Sequence, residues 1–261
     1  MPTGNAPILS ASGLCAELGG RPVLEDIDLT LRRGEVLVVL GPSGCGKSTL
    51  LRLLGGLIAP GSGRVLLAGH PPRPGRGSAT VFQNYRLLPW KSVIDNVVFA
   101  LPEVPPTQAR LRAAEVLGLV GLSRVSDAFP AQLSGGMRQR VALARALAPR
   151  PEVILMDEPF SAIDAQAREI MQGELLRLTR AVGGPGVVFV THSVDEALIL
   201  GTHVLLLSPR PGRILRRIAP PDWQGDPMAH PQFAPLRRQL WEELKESVLN
   251  DPNSDFHRAA L

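Results

Sequence analysis

The chain has 261 residues, 44% of them hydrophobic and 20% charged, which excludes a disordered polypeptide. With 28 basic against 24 acidic residues, the net charge of +4 is too small for a nucleic-acid footprint, so no nucleic-acid partner is expected. Two cysteines, Cys15 and Cys45, form no C-x-x-C pair and exclude a disulfide scaffold, as suits a reducing compartment.

In chain order, Met1–Ala16 has no basic start and is interrupted by Pro2, Gly4, Pro7 and Gly13, so no signal peptide is expected there. Ile8–Leu14, Val23–Leu31 and Arg64–Ala68 are expected to form a small antiparallel sheet. In the second of these, Leu24, Ile27, Leu29 and Leu31 mark one apolar face. Val36–Leu40, Val153–Met156, Val187–Val190 and Val204–Leu207 are short, continuous apolar runs. Such runs are strands covered on both faces, and helical patterns between them predict an α/β fold with a largely parallel sheet. From Leu101 to Arg150 the character changes. Pro102, Pro105 and Pro106 open a stretch with helical patterns at Gln108–Val120 and Gly135–Ala148, read as an inserted helical subdomain. After Ser208 come Pro209, Pro211 and Gly212, then an amphipathic helix striped by Leu236, Leu240, Leu244 and Val248. One domain is expected over 1–261, with an α/β core that includes the antiparallel part at 1–83 and 151–208, a helical subdomain at 84–150 and an extension at 209–261. No stretch offers the roughly 20 apolar residues needed to span a bilayer.

Gly41-Pro42-Ser43-Gly44-Cys45-Gly46-Lys47-Ser48 fits G-x-x-x-x-G-K-[ST] and lies between the strand Val36–Leu40 and the helical run Ser48–Leu57. Glycines let backbone N–H groups turn inward around phosphates, and the helix start adds its positive dipole end. Lys47 is expected to reach the β- and γ-phosphates of a nucleotide, Ser48 to ligate Mg²⁺, and Thr49 to support the α-phosphate. Cys45 reads as a spacer in this loop. Val153–Met156 delivers Asp157 to the carboxyl edge of the sheet, where it suits Mg²⁺, and Glu158 follows as a general base for water. An apolar run ending in Asp-Glu is weak by itself and gains its meaning from the loop.

Leu133-Ser134-Gly135-Gly136-Met137-Arg138-Gln139-Arg140 makes a second anion-binding helix start: Ser134 is a good N-cap, and Gly135 and Gly136 leave N–H groups open. One chain cannot easily bring both starts to one γ-phosphate; two copies head-to-tail can. Set between the other two motifs, this segment resembles the signature of the ATP-binding cassette (ABC) ATPases, with Met137 where the family usually has Gln. The resemblance spans nearly the whole chain and implies a P-loop NTPase fold. It also implies ATP hydrolysis with Mg²⁺, roles for Gln83 in sensing metal and water and for His192 in contacting the γ-phosphate, and a dimer-facing segment at Ser161-Ala162-Ile163-Asp164. The family's upstream adenine-stacking aromatic is missing, since no Phe, Trp or Tyr precedes Phe82; Leu18 stands near the expected place and predicts an aliphatic platform.

Gln83 to Trp90, with Lys91 to Val97, is similar to importers of taurine, aliphatic sulfonates, nitrate and related small anions. Gly19 to Asp26, Pro211 to Arg213 and Pro231 to Phe233 look most like the taurine branch. The resemblance implies a transmembrane permease partner, an external solute-binding protein reached indirectly, and a peripheral location on the cytoplasmic face of the inner membrane. Leu87, Leu88 and Trp90 would receive a helix of the permease. The competing reading is a soluble ABC-type ATPase acting on DNA or ribosomes. The short interval between Lys47 and Ser134 leaves no room for a long coiled coil, and the chain carries one cassette rather than two.

Overall fold

The structure, a computed structural model, describes residues 6–249 except 83, 162 and 224. Its centre is a six-stranded sheet made of β3 (Val36–Leu40), β5 (Ser78–Val81), β6 (Val153–Asp157), β7 (Gly186–Thr191), β8 (His203–Leu207) and β9 (Ile214–Ile218). Their spatial order is β5-β6-β7-β3-β8-β9, all parallel except β9, which runs antiparallel to β8. Beside it lies a three-stranded antiparallel sheet, β1 (Leu9–Leu18), β2 (Arg21–Leu31) and β4 (Ser62–Leu67), in the order β2-β1-β4.

The continuous apolar runs follow from burial on both faces. Alternate residues of each central strand enter different cores. Leu37, Val39, Leu155, Val188, Val190, Leu205 and Leu207 pack with the antiparallel sheet and α1 (Lys47–Leu54). Val36, Val38, Leu40, Ile154, Met156, Phe189 and Leu206 face the other way, toward the remaining helices. There lie α2 (Val93–Val98), α3 (Pro106–Leu119) and α4 (Gly135–Leu147), the helical part expected between residues 84 and 150. The same core holds α5 (Ala165–Arg180), α6 (Val194–Leu200) and α7 (Phe233–Leu249). Local chemistry fixes several of their starts: Ser92, Ser134, Asp164 and Ser193 each accept a backbone N–H as N-cap, and Pro106 occupies the first turn of α3.

Residues 209–261 were expected to lie outside the core, but their first part supplies β9 to the central sheet. Arg216 and Arg217 interrupt its apolar pattern, as an edge strand permits. The tail also grips α6. Trp223 Nε1 donates to the Leu198 carbonyl at 2.6 Å, Arg237 pairs with Asp195 at 2.5 Å, and Phe233, Leu240 and Leu244 bury into the larger core. Leu236 packs against that core, so Leu236, Leu240 and Leu244 of the predicted apolar stripe form the docked face of α7, while Val248 is not among the residues packed there. Among the described residues, no helix is long and apolar enough to cross a membrane.

Candidate functional site

The parallel strands deliver their carboxyl ends to one edge, and the motif residues collect there. After β3, the loop from Gly41 turns through left-handed glycines, Gly44 at φ 80° and Gly46 at φ 104°, into α1. No side chain caps this helix and no acidic residue lies in its first turn, so its leading N–H groups are open to an anion. A Cβ on Gly46 would sit 2.8 Å from Leu24 Cδ2 and 3.0 Å from the Val23 carbonyl oxygen, which explains glycine at this position. Lys47 is only 6% exposed, and its ammonium donates to the carbonyls of Gly41 and Pro42, each at 2.8 Å. The charge is thus stored over the loop, on acceptors that phosphate oxygens can replace. Pro42 is half-buried, while Ser43 and Gly44 are exposed on the outer turn. Thr49 is buried below it.

Cys45 packs under the loop, and a Cβ on Gly41 would come within 2.9 Å of its sulfur. Burial raises the Cys45 thiol pKa despite the nearby Lys47 charge, so the group stays a neutral thiol.

Asp157 ends β6 beside Val190 of β7. Burial raises its carboxyl pKa, and the neighbouring Glu158 charge adds to this; a hydrogen bond from Ser48 and the charges of Lys47 and Arg52 oppose it. Ser48 and Asp157 therefore place two hard oxygen donors together at the head of the phosphate loop. Glu158 takes a left-handed backbone, φ 47°, and its N–H donates to the Val190 carbonyl at 3.0 Å. A non-glycine residue held there belongs to a strained class that gathers at functional sites. Its carbonyl accepts from Ser161 Oγ at 3.0 Å and from Gln139 Nε2 at 3.3 Å. Its carboxylate oxygen Oε1 lies 3.3 Å from His192 Nδ1. Adjacent parallel strands thus bring Asp157, Glu158 and His192 to one edge of the sheet.

Ser134 sits at a separate helix start. Its hydroxyl accepts from Met137 N at 3.2 Å, and Gly135 and Gly136 follow, half-buried, with no acid in the first turn of α4. Among the described residues, no hydrogen bond or ion pair joins Ser134–Met137 to the loop at 41–49. The side chain of Gln139, one turn further along α4, reaches the Glu158 carbonyl instead; sequence reading missed this contact, whose one signal is a polar residue on the apolar face of the helix. Gln83, expected in sensing metal and water, lies outside the described residues, as does Ala162. Asp164 caps α5 by accepting from Ala167 N at 2.9 Å.

Two further residues singled out by the sequence lie on the surface. Leu18, at the tip of the β1–β2 hairpin, is 47% exposed. Trp90 is 72% exposed on a turn pinned by the fully buried Asn96, whose side chain accepts from Leu88 N at 2.8 Å and donates to the carbonyls of Leu88, Lys91 and Ser92. Phe99 is exposed as well, and Leu87 packs against the larger core.

Comparison with known proteins agrees with this geometry. The family model described as ABC transporter matches residues 24–161. The chain is 49% identical over 248 residues to the taurine import ATP-binding protein TauB of Escherichia coli O157:H7, covering 94% of this chain and 92% of that protein. It is 46% identical over 215 residues to TauB of Yersinia pestis bv. Antiqua (strain Antiqua), covering 81% and 84%. It is 45% identical over 229 residues to an uncharacterized ABC transporter ATP-binding protein of Methanocaldococcus jannaschii, covering 87% and 85%. Among solved structures, it is similar to the dimeric post-hydrolysis state of the ATP-binding cassette MJ0796 bound to ADP and Pi. The TM-score there is 0.74 at 29% identity, covering 82% of this chain and all of that one. A loop and helix start built for phosphate, two carboxylates and a histidine at one sheet edge, and these relatives lead to one conclusion: the chain is an ATP-hydrolysing subunit and belongs to the ABC transporter family.

Proposed function

We propose that this chain energises an importer of taurine or a related small sulfonate, working as one half of a head-to-tail dimer beneath a membrane permease. The convergence of the Lys47 loop, Asp157, Glu158 and His192 at one sheet edge, with the Ser134 helix start separate from it, carries the reading. Such a chain holds one triphosphate site and offers a second anion-facing surface that another copy can use. The names of its relatives favour taurine as cargo. Recognition of the cargo belongs to the permease and to an external solute-binding protein, and the ATPase docks peripherally on the cytoplasmic face.

The residues divide the work as follows. Backbone N–H groups of Ser43 to Thr49 cradle the phosphates of ATP. Lys47 exchanges the carbonyls of Gly41 and Pro42 for phosphate oxygens as the nucleotide enters. The Ser48 hydroxyl and the Asp157 carboxylate, with Gln83, would hold Mg²⁺, which would supply charge neutralisation to the bound triphosphate. Glu158 accepts the proton of the attacking water, and His192, paired with it, contributes to γ-phosphate recognition. Ser134, Gly135 and Gly136 of the second copy close the site, drawing the helical parts inward. The difference in ATP affinity between open and closed states drives the permease.

Two measurements test this. Labelled taurine, alkanesulfonate and nitrate are offered to cells with and without the subunit; taurine uptake should depend on it, and dependence of nitrate alone would overturn the cargo. Glu158→Gln should form an ATP-dependent dimer that Ser134→Arg on the same background abolishes. An ATP-bound Glu158→Gln protein that stays monomeric, or a dimer indifferent to Ser134, would refute the shared site.

A further inference from the structure

The hydroxyl of Thr191 straddles His192. Thr191 closes β7 and is 2% exposed. Its Oγ1 donates to Glu196 Oε2 at 2.6 Å and accepts from Ser193 N at 3.0 Å. One group therefore ties the residue before His192 to the residue after it and to the first turn of α6. Ser193 already caps this helix by accepting from Glu196 N at 3.3 Å, so the helix start does not require the Thr191–Glu196 pair. Burying a hydroxyl and a carboxylate is unfavourable unless they are bonded, and an apolar pair would suit the end of an otherwise apolar strand.

The contacts continue from Glu196. Its Oε1 lies 4.0 Å from Arg168 Nε, a buried donor with no hydrogen-bond partner. Arg168 Nη2 donates to the Ile163 carbonyl at 3.1 Å. Ser161, two residues before Ile163, donates to the Glu158 carbonyl, and Glu158 meets His192. The circuit closes on itself around the hydrolytic pair.

We infer that Thr191, Glu196 and Arg168 are positioning residues for ATP hydrolysis. They hold His192 against Glu158 and make it move together with the segment at Ile163 and Asp164. The inference rests on the role of His192 proposed above, and the test separates the two. Steady-state ATPase kinetics are measured on the full chain and on Thr191→Val, Thr191→Ser, Arg168→Met and the Thr191→Val/Arg168→Met double variant, with His192→Ala as reference. Thr191→Val should lower kcat on the order of tenfold with KM for ATP within about twofold, because alignment is lost while nucleotide binding stays. Thr191→Ser should restore kcat, and the double variant should be no slower than Thr191→Val alone, since one circuit is cut twice. Full turnover in Thr191→Val while His192→Ala is slow overturns the inference, as does strict additivity in the double variant. Full turnover in His192→Ala overturns the underlying role of His192. If Thr191→Val fails to fold, Arg168→Met decides: unchanged kcat refutes the circuit, and lowered kcat at unchanged KM supports it.

Discussion

Gly44 and Gly46 lie two residues apart in the phosphate loop, both at positive φ, yet alanine should affect them differently. At Gly44, φ 80°, an added Cβ meets nothing within 4 Å, so the variant carries only the left-handed conformational penalty of about 1–2 kcal/mol. At Gly46, φ 104°, the Cβ would press on Leu24 Cδ2 at 2.8 Å and on the Val23 carbonyl at 3.0 Å. That carbonyl cannot easily retreat, because it accepts the Gly212 N–H at 2.8 Å. Overpacking against such a neighbour adds about 1–3 kcal/mol. Gly46→Ala should therefore be about 2 kcal/mol less stable than Gly44→Ala, on the order of 4–8 °C in Tm for a chain of this size. Thermal unfolding followed by circular dichroism measures the difference. Titration calorimetry with ATP should show the larger affinity loss in Gly46→Ala, whose helix start is displaced. Equal midpoints for the two variants would refute the steric reasoning.

Asp157 carries a raised pKa through burial, so its contribution to stability is present below the ordinary carboxyl range and is lost as pH rises through the raised value. Asp157→Asn should accordingly raise the Tm of the nucleotide-free protein near neutral pH while reducing the further rise given by ATP with Mg²⁺; differential scanning calorimetry with and without both ligands reads each change. Leu18→Tyr should tighten ATP binding by about 1 kcal/mol, roughly fivefold, the lower end of base–aromatic stacking, as measured by calorimetry. No gain would remove Leu18 from the adenine site. Trp90→Ala should cut transport by about tenfold in proteoliposomes with the basal ATPase rate within about twofold, as an exposed interface anchor would. Equal losses in both would assign the ring to folding.

Much of this was legible in the sequence because the physics is local. The central strands announced themselves through double-sided burial, as Val36–Leu40 shows, and the loop from Gly41 to Ser48 declared its chemistry by spacing. Asp157 was placed correctly because four apolar residues set the strand's end. What could not be read depended on neighbours distant in the chain. β9 was hidden by Arg216 and Arg217, which are tolerable only because the strand lies at an edge. Nothing in the sequence marks Asn96 as the residue whose amide the turn at 88–92 folds around. The link from Thr191 through Glu196 toward Arg168 joins residues on β7, α6 and α5, and no spacing rule predicts it.

The grip of Trp223 and α7 on α6 has a practical consequence for dissecting the molecule. A polypeptide cut after Ile218 would retain the phosphate loop, Asp157, Glu158, His192 and Ser134. It would also strip Trp223, Phe233, Leu240 and Leu244 from their shared core, leaving the greasy flank of Val194, Ala197 and Leu198 naked to water. Precipitation of such a fragment would report an uncovered seam rather than a lost control element, so the tail is better probed by altering Arg237 or Asp195 singly than by amputation.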